Sequence, residues 1–509
     1  MHKYFKTSFR HLWHNRLYGL INVSGLSIAL TCVLLAVLYA KDERSYDQFH
    51  ERKDRLYRVV TNVTDSKGER KTVGGTGQPQ GPAFKLAVPE IEAYTRLMGG
   101  DIMGDVAAND KTLNLQMLFV DPNFFSVFSF TMLRGNGATA LDDISSVVIT
   151  ESVARKYFNS IDVVGKIMKM ESDPSAKRLG KPMVISGVTK DPPKNSSVRF
   201  DILLPLRFMQ LSFTDENWLN QYLGTFLLLK PGADLQHITN KFDRVYAAHA
   251  KDQVAKNKET YHYDPKISFG LQRLTDIHLR PMPTGTGWRE GGIVNESSPA
   301  FSYMFMGIAL FILLMAAINF INISIAGSLK RAKEVGIKKI IGSSRLQIIS
   351  QFLFESALVC VAAFALAILL TEYCLPIFNE LSGKQLVPSE SLDTSLAGWF
   401  LLVLLSVILL TGLYPAYILS GFKPREVLYN RQKLSGRNMF GRALVVVQFS
   451  LAVFFIITTM IYYRQMNFMQ TKDLGYNPYQ VIRTSINGDR DIKPVQDILR
   501  YELSKEPSI

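Results

Sequence analysis

The sequence predicts an α-helical transmembrane bundle of about five spans, with a large extracytoplasmic mixed α+β domain between spans 1 and 2. Three observations lead there. Leu17 to Ala40, Ser297 to Leu329, Ser395 to Phe422 and Ala443 to Tyr463 contain no Asp, Glu, Lys or Arg, and Leu346 to Thr371 contains only Glu355. The net charge of +14 sits in three short segments. The stretch from 41 to 300 is instead nearly neutral and carries short β-branched runs.

A helix crossing a bilayer core needs about 20 apolar residues, which each of the five stretches supplies. The spans are placed at 18–40, 302–325, 346–371, 396–420 and 443–463. Residues 1–17 place Phe5, Phe9, Leu12 and Trp13 opposite Lys3, Lys6, Arg10 and Arg16, the pattern of a cytoplasmic interfacial helix. The first span is expected to be an uncleaved anchor. Its apolar run exceeds the roughly 7 to 15 residues of a signal peptide, and Leu38-Tyr39-Ala40 has no small residue at the −3 position.

Residues 1–17 hold four basic and no acidic side chains, 326–345 six and one, and 423–442 six and one. Short loops rich in Lys and Arg mark the cytoplasmic side. The N-terminus, 326–345 and the linker 421–442 are therefore expected inside, and 41–300, the loop 372–395 and the segment 464–509 outside. Basic patches also serve nucleic-acid binders, but no recognition motif accompanies these.

Residues 41–300 carry 34 basic and 31 acidic side chains and are long enough for one hydrophobic core or two. Leu56 to Val60, Ser146 to Thr150 and Met183 to Val188 read as strands, and Ser152 to Phe158 and Leu235 to His249 as helices. Gly74 to Pro79 and Asp191 to Asn195 read as loops, and a compositional pause at Asn136 to Asp143 suggests a boundary between two subdomains. Cys32, Cys360 and Cys374 lie in or beside spans, so the outer domain holds neither a disulfide framework nor a CxxC metal site.

Motifs for catalysis are near misses. Gly436 to Gly441 has the spacing of a phosphate loop, but Arg442-Ala443 stands where Lys-Ser/Thr must reach phosphate and magnesium. Gly25-Leu26-Ser27-Ile28-Ala29 lacks the second Gly of a nucleophile elbow. The eight His include no H-E-x-x-H. The expectation is a chain with no catalytic residues, cofactor or metal of its own.

The inner edges of the spans are more distinctive. After span 2 come Gly327-Ser328-Leu329-Lys330-Arg331-Ala332-Lys333-Glu334-Val335-Gly336-Ile337-Lys338-Lys339-Ile340-Ile341-Gly342-Ser343-Ser344-Arg345 and then Gln351-Phe352-Leu353-Phe354-Glu355-Ser356. This resembles the signature R-x-K-E-I-G-I-x-K-x-x-G-A-S followed by Q-F-L-x-E-S of MacB/FtsX-like ABC-transporter permeases, with Ser343 where the family usually has Ala. Asn22 to Leu30, Ser45-Tyr46-Asp47-Gln48-Phe49-His50, Asp54 to Val59, Gly412-Leu413-Tyr414-Pro415-Ala416-Tyr417 and Phe422-Lys423-Pro424 extend the resemblance over nearly the whole chain. Arg442 to Ser450 and Lys472 to Tyr476 look like the start of the second half of longer members. With 464–509 as the opening of a second outer segment, a truncated chain is expected.

The resemblance implies a permease subunit, with a separate cytoplasmic ABC-type ATPase as partner and a dimer or heterodimer of permeases. Nucleotide-driven motion would then act on an outer substrate, lipoprotein or cell-wall hydrolase. It also implies a coupling role for Lys330, Arg331, Lys333, Glu334, Val335, Gly336, Ile337, Lys338, Lys339 and Gly342.

Read without the family, Leu329 to Ile341 is a short helix with Leu329, Ala332, Val335, Ile337, Ile340 and Ile341 on an apolar stripe. Glu334 and Lys338 stand at i, i+4 in the favourable order. Such a helix either docks on a partner or lies on anionic lipid. Glu355 is the one acid inside a span; intramembrane carboxylates are costly, and this one is shallow enough to pair with Lys338 or Arg345 at the interface. Pro415 is read as a helix kink. A rival class is a transmembrane sensor whose outer domain binds a ligand or controls a hydrolase. A sensor needs an inner output domain, and the inner segments are only about 20 residues long.

Overall fold

A computed structural model describes residues 16–65, 67–170, 173–262, 264–282, 291–387, 394–420, 439–473, 475 and 492–505. It includes their side chains except at 16–18, 327–334, 394–396, 418, 419, 439–441 and 444. The expected interfacial helix at 1–15 and the linker at 421–438 lie outside the described residues. The principal helices are α1 (Arg16–Ser45), α2 (Glu151–Phe158), α3 (Leu235–His249), α4 (Pro299–Ile340), α5 (Arg345–Ser382), α6 (Thr394–Ser420), α7 (Met439–Thr471) and α8 (Ile492–Leu503).

The chain divides into two compact units, one holding Met1–Asp42 with Ala300–Asn477, the other Glu43–Pro299 with Pro478–Ile509. In the first, five helices are long and apolar enough to cross a membrane: Gly19–Ser45, Pro299–Ala326, Arg345–Ser382, Ala397–Tyr417 and Val445–Thr471. Leu26, Leu30 and Leu34 of α1 pack with Leu313 and Phe320 of α4, Val359, Cys360 and Ala363 of α5 and Val407 of α6. Helices α5 and α6 approach closely at Gly412, where a Cβ would stand 2.9 Å from Leu353 Cδ2 and 3.2 Å from Ser356 Cβ. α7 touches this bundle through Phe455, whose ring lies 4.6 Å from that of Phe311. In the loop after α5, Lys384 reaches back 3.1 Å to Asp42.

The second unit is built on one mixed sheet. Its strands are β1 (Leu56–Thr64), β2 (Arg70–Val73), β3 (Ile91–Ala108), β4 (Lys111–Val120), β5 (Met132–Arg134), β6 (Ser146–Thr150), β7 (Ile167–Met168), β8 (Met183–Thr189), β9 (Ile202–Pro205), β10 (Gly224–Leu229) and β11 (Lys266–Arg273). Their order is β11-β1-β10-β3-β4-β9-β6-β8-β5, with β2 on β1 and β7 on β8. β6, β9 and β10 are buried along their whole length, which is why they read as continuous apolar or β-branched runs rather than alternating ones. Thr150 caps α2 by accepting from Val153 N, and Asp234 caps α3 by accepting from Gln236 N and His237 N.

Two expectations are corrected here. The segment 136–143 does not separate two bodies: Ala140 and Leu141 are buried in one core with Phe124, Phe128, Val148 and Leu203, and the sheet runs on from β4 through β9 to β6. The stretch after span 2 is not a separate short helix either. α4 continues unbroken from Pro299 to Ile340, since Gly327, with no proline beside it, does not by itself stop a helix in an otherwise good helical context.

The loop Gly74 to Pro79 is a loop as expected, and its glycines are there for close packing. A Cβ at Gly74 would meet the Arg58 guanidinium at 2.6 Å and one at Gly75 the Gln221 carbonyl at 2.4 Å. Arg58 is 1% exposed, donates to Gln272 Oε1 from Nη2 at 2.7 Å, and is pushed down to about 10 by burial. On β3, Arg96 forms a fork with Asp121, Nε to Oδ2 at 2.8 Å and Nη2 to Oδ1 at 2.6 Å, and also donates to the Gln78 carbonyl.

Candidate functional site

The residues expected to couple to a partner surround the turn between α4 and α5. Gly342 ends α4 at φ +99°, a left-handed conformation that favours glycine. Ser343 N donates to Lys338 O at 3.0 Å and Gly342 N to Lys339 O at 3.1 Å, so the last carbonyls of α4 are satisfied. α5 then opens with a capping box. Ser344 Oγ accepts from Gln347 N, and Gln347 Oε1 accepts from Ser344 N. The run Gly-Ser-Ser-Arg-Leu-Gln is thus a stop and a restart written with local chemistry.

Burial divides the expected stripe. Val335 is 4% exposed and Gly336 is buried, whereas Ile337, Ile340 and Ile341 are 52%, 60% and 80% exposed. At about 100° per residue, Ile337, Ile340 and Ile341 share one side of the helix and Val335 lies opposite. One stripe cannot hold both sets. Val335 and Gly336 are therefore already enclosed by this chain. Lys338 and Lys339 lie on the Val335 side. Lys338 Nζ donates to Gln351 Oε1 at 3.2 Å, and Lys339 Nζ to Ser420 O at 2.7 Å. Burial, and then Arg345, lowers the Lys339 ammonium below its usual range. Arg345 donates to Ser420 Oγ at 3.1 Å and lies 4.8 Å from the Tyr417 ring centre. The side chains of Lys330, Arg331, Lys333 and Glu334 lie outside the described residues, although the helix runs through them.

What remains outward at the turn is Ile337, Ile340, Ile341 and, on α5, Leu346 at 77% exposed. Sequence reasoning missed Leu346, Tyr417 and Ser420. Leu346 had a visible signal as an apolar residue two places past a cap, but the α6 pair is distant in sequence and had none. Glu355 is 7% exposed and lies one residue from Ser356, which faces Gly412 across the α5–α6 contact. Among the described residues, no group of three His, Cys, Asp or Glu could hold a metal ion.

These features define a polytopic membrane protein with a large extracytoplasmic α+β domain after its first span. Residues 20–245 match the model of the MacB-like periplasmic core domain, and residues 306–424 that of the FtsX-like permease C-terminal region. The chain belongs to the MacB/FtsX-like ABC-transporter permease family. It is 24% identical over 307 residues to the macrolide export ATP-binding/permease protein MacB of Salmonella typhi, a match covering 57% of this chain and 39% of that protein. The protein of the same description from Bdellovibrio bacteriovorus is 21% identical over 385 residues, covering 73% and 54%. The chain thus spans about two fifths to one half of the length of these curated relatives. Among solved structures, a domain of a permease protein from Porphyromonas gingivalis is 23% identical, covering 44% of this chain and 91% of that one at a TM-score of 0.37. The periplasmic region of MacB from Actinobacillus actinomycetemcomitans is 12% identical, covering 43% and 90% at a TM-score of 0.26.

Proposed function

We propose that the chain is the membrane subunit of an ATP-driven complex, with the ATPase on a separate polypeptide that docks at the α4–α5 turn from the cytoplasm. ATP hydrolysis there moves the outer domain, which expels or extracts a substrate on the far side. One observation carries the docking site: three isoleucines and a leucine point outward at the turn while Lys338 and Lys339 are turned inward onto Gln351 and Ser420. A helix held on anionic lipid by its charges would present those lysines, since each contributes about 1 kcal/mol near such a surface. A helix docked in a protein groove presents apolar anchors instead.

Ile337→Ser with Ile340→Ser is expected to leave the chain in the membrane but to reduce co-purification of the native ATPase by roughly thirtyfold or more, the loss of anchors worth more than about 2 kcal/mol. Gly336→Leu is expected to act differently, lowering the thermal stability of the purified chain because its site is already filled. Retention of the ATPase by the double-serine variant would overturn docking through these isoleucines. The purified chain alone is expected to give no heat of binding with ATP, because no phosphate-cradling motif accompanies the basic linker; micromolar binding overturns the two-polypeptide division.

A further inference from the structure

The chain enters the outer domain at the end of α1 and leaves it just before α4, and these two ends are stitched together by buried polar groups. Glu43 is 0% exposed at its side chain and His278 2%. The His278 Nε2 lies 3.2 Å from Glu43 Oε1, and Ser297 Oγ donates to Glu43 Oε2 at 2.5 Å. Ser297 N in turn donates to the His278 carbonyl at 2.8 Å. The Tyr46 ring stacks on the His278 imidazole with centres 3.4 Å apart and planes 5° apart. A second stitch runs through the loop at 195–198. Asp47 N donates to Asn195 O, Ser197 N to Asp47 Oδ1, and Val294 N to Ser197 O, at 2.9, 2.9 and 2.8 Å. Except for the bond from Ser297 to the His278 carbonyl, these bonds join segments far apart in sequence, and Ser297, just before α4, donates to the Glu43 carboxylate directly.

We infer that Glu43, His278 and Ser297 are positioning residues that fasten the incoming and outgoing segments of the outer domain to each other, so that a displacement of either is delivered to both. Burial is what gives the fastening its strength: a polar acceptor removed from water and left without its donors costs far more than an exposed one. Without the clasp, a push on one connection would be absorbed by bending the loop at 293–299. Its use in transport rests on the permease reading, but the clasp is a property of this chain alone.

The test is hydrogen exchange, followed by mass spectrometry, on the full chain in detergent without any ATPase or substrate. Failure of the clasp is thereby distinguishable from failure of the transport role, which is read by co-purification. Glu43→Ala is expected to speed exchange roughly tenfold in peptides covering 274–280 and 293–299, the loss of one buried hydrogen bond, with β3 and β4 unchanged. Glu43→Gln, whose amide can still accept from Ser297 and donate to His278, is expected to restore protection in both peptides. If Glu43→Ala unfolds the domain generally, Ser297→Ala takes its place and is expected to speed exchange at 43–50. The inference is overturned if 293–299 keeps its protection in Glu43→Ala, if Glu43→Gln is as open as Glu43→Ala, or if Ser297→Ala leaves 43–50 unchanged.

Discussion

Asp47 and His50 are buried a few residues apart and respond to acid in opposite senses. Burial, opposed by bonds from Ser197, raises the Asp47 carboxyl from 3.8 to about 6, while burial lowers the His50 imidazole from 6.5 to about 3. His50 accepts from Ser129 N at Nδ1 and is ringed by Phe49, Phe128 and Phe130, an environment suited to the neutral ring. For Asp47 the folded state favours the proton, so its contribution to stability is fully present below pH 3.8 and is lost as the pH rises through about 6. For His50 the unfolded state favours the proton, so stability is lost as the pH falls below 6.5. Asn fits the left-handed backbone at position 47, where φ is +58°, and can still accept from Ser197 N. Asp47→Asn is therefore expected to raise the melting temperature of the detergent-purified chain at pH 8 by several degrees, with the gain gone by pH 4 in scanning fluorimetry. An equal gain at both pH values refutes the burial argument. The Ser-Tyr-Asp-Gln-Phe-His run was visible in the sequence as a family-like exit from span 1. That Asp47 bonds to Ser197 was not, because 150 residues separate the partners.

At the scale of elements, legibility follows how local the cause is. The strand at Ser146–Thr150 and the helix after it were readable because a β-branched run meets a Thr cap. β3 was not: Gly99, Gly100 and Asp101 interrupt its pattern, and the structure accommodates them in a register shift between Gly99 and Met103, with both glycines at positive φ. The apolar periodicity of 329–341 announced a helix but not which side would face its own bundle, since the groups that hold Lys338 and Lys339 are Gln351 of α5 and Ser420 of α6. The α5–α6 contact makes its own prediction. Gly412→Leu must displace Leu353 and Ser356 from 2.9 and 3.2 Å, and overpacking of this kind costs about 1 to 3 kcal/mol. A lower melting temperature with the outer domain still protected from hydrogen exchange is expected, whereas a neutral substitution would show that the two helices are not in close contact in the membrane.

For the whole molecule, composition and charge were enough to read five spans and one large insertion, because bilayer thickness and the cost of translocating basic loops act on long stretches rather than on single contacts. The orientation they imply is testable with single cysteines in a variant lacking Cys32, Cys360 and Cys374. Asp110→Cys and Gln385→Cys are expected to react with an impermeant thiol reagent in intact cells, and Ser343→Cys only after permeabilisation; labelling of Ser343→Cys from outside inverts the topology. What such stretches do not disclose is how the insertion closes. Its first strand, β1, pairs with its last, β11, from Tyr57 against Arg273 to Thr64 against Lys266. Antiparallel pairing of first and last strands brings the two ends of the insertion to neighbouring points, so to the helices on either side the whole domain is topologically no more than a hairpin loop. Such a cassette can be lengthened, replaced or exchanged without re-threading the spans.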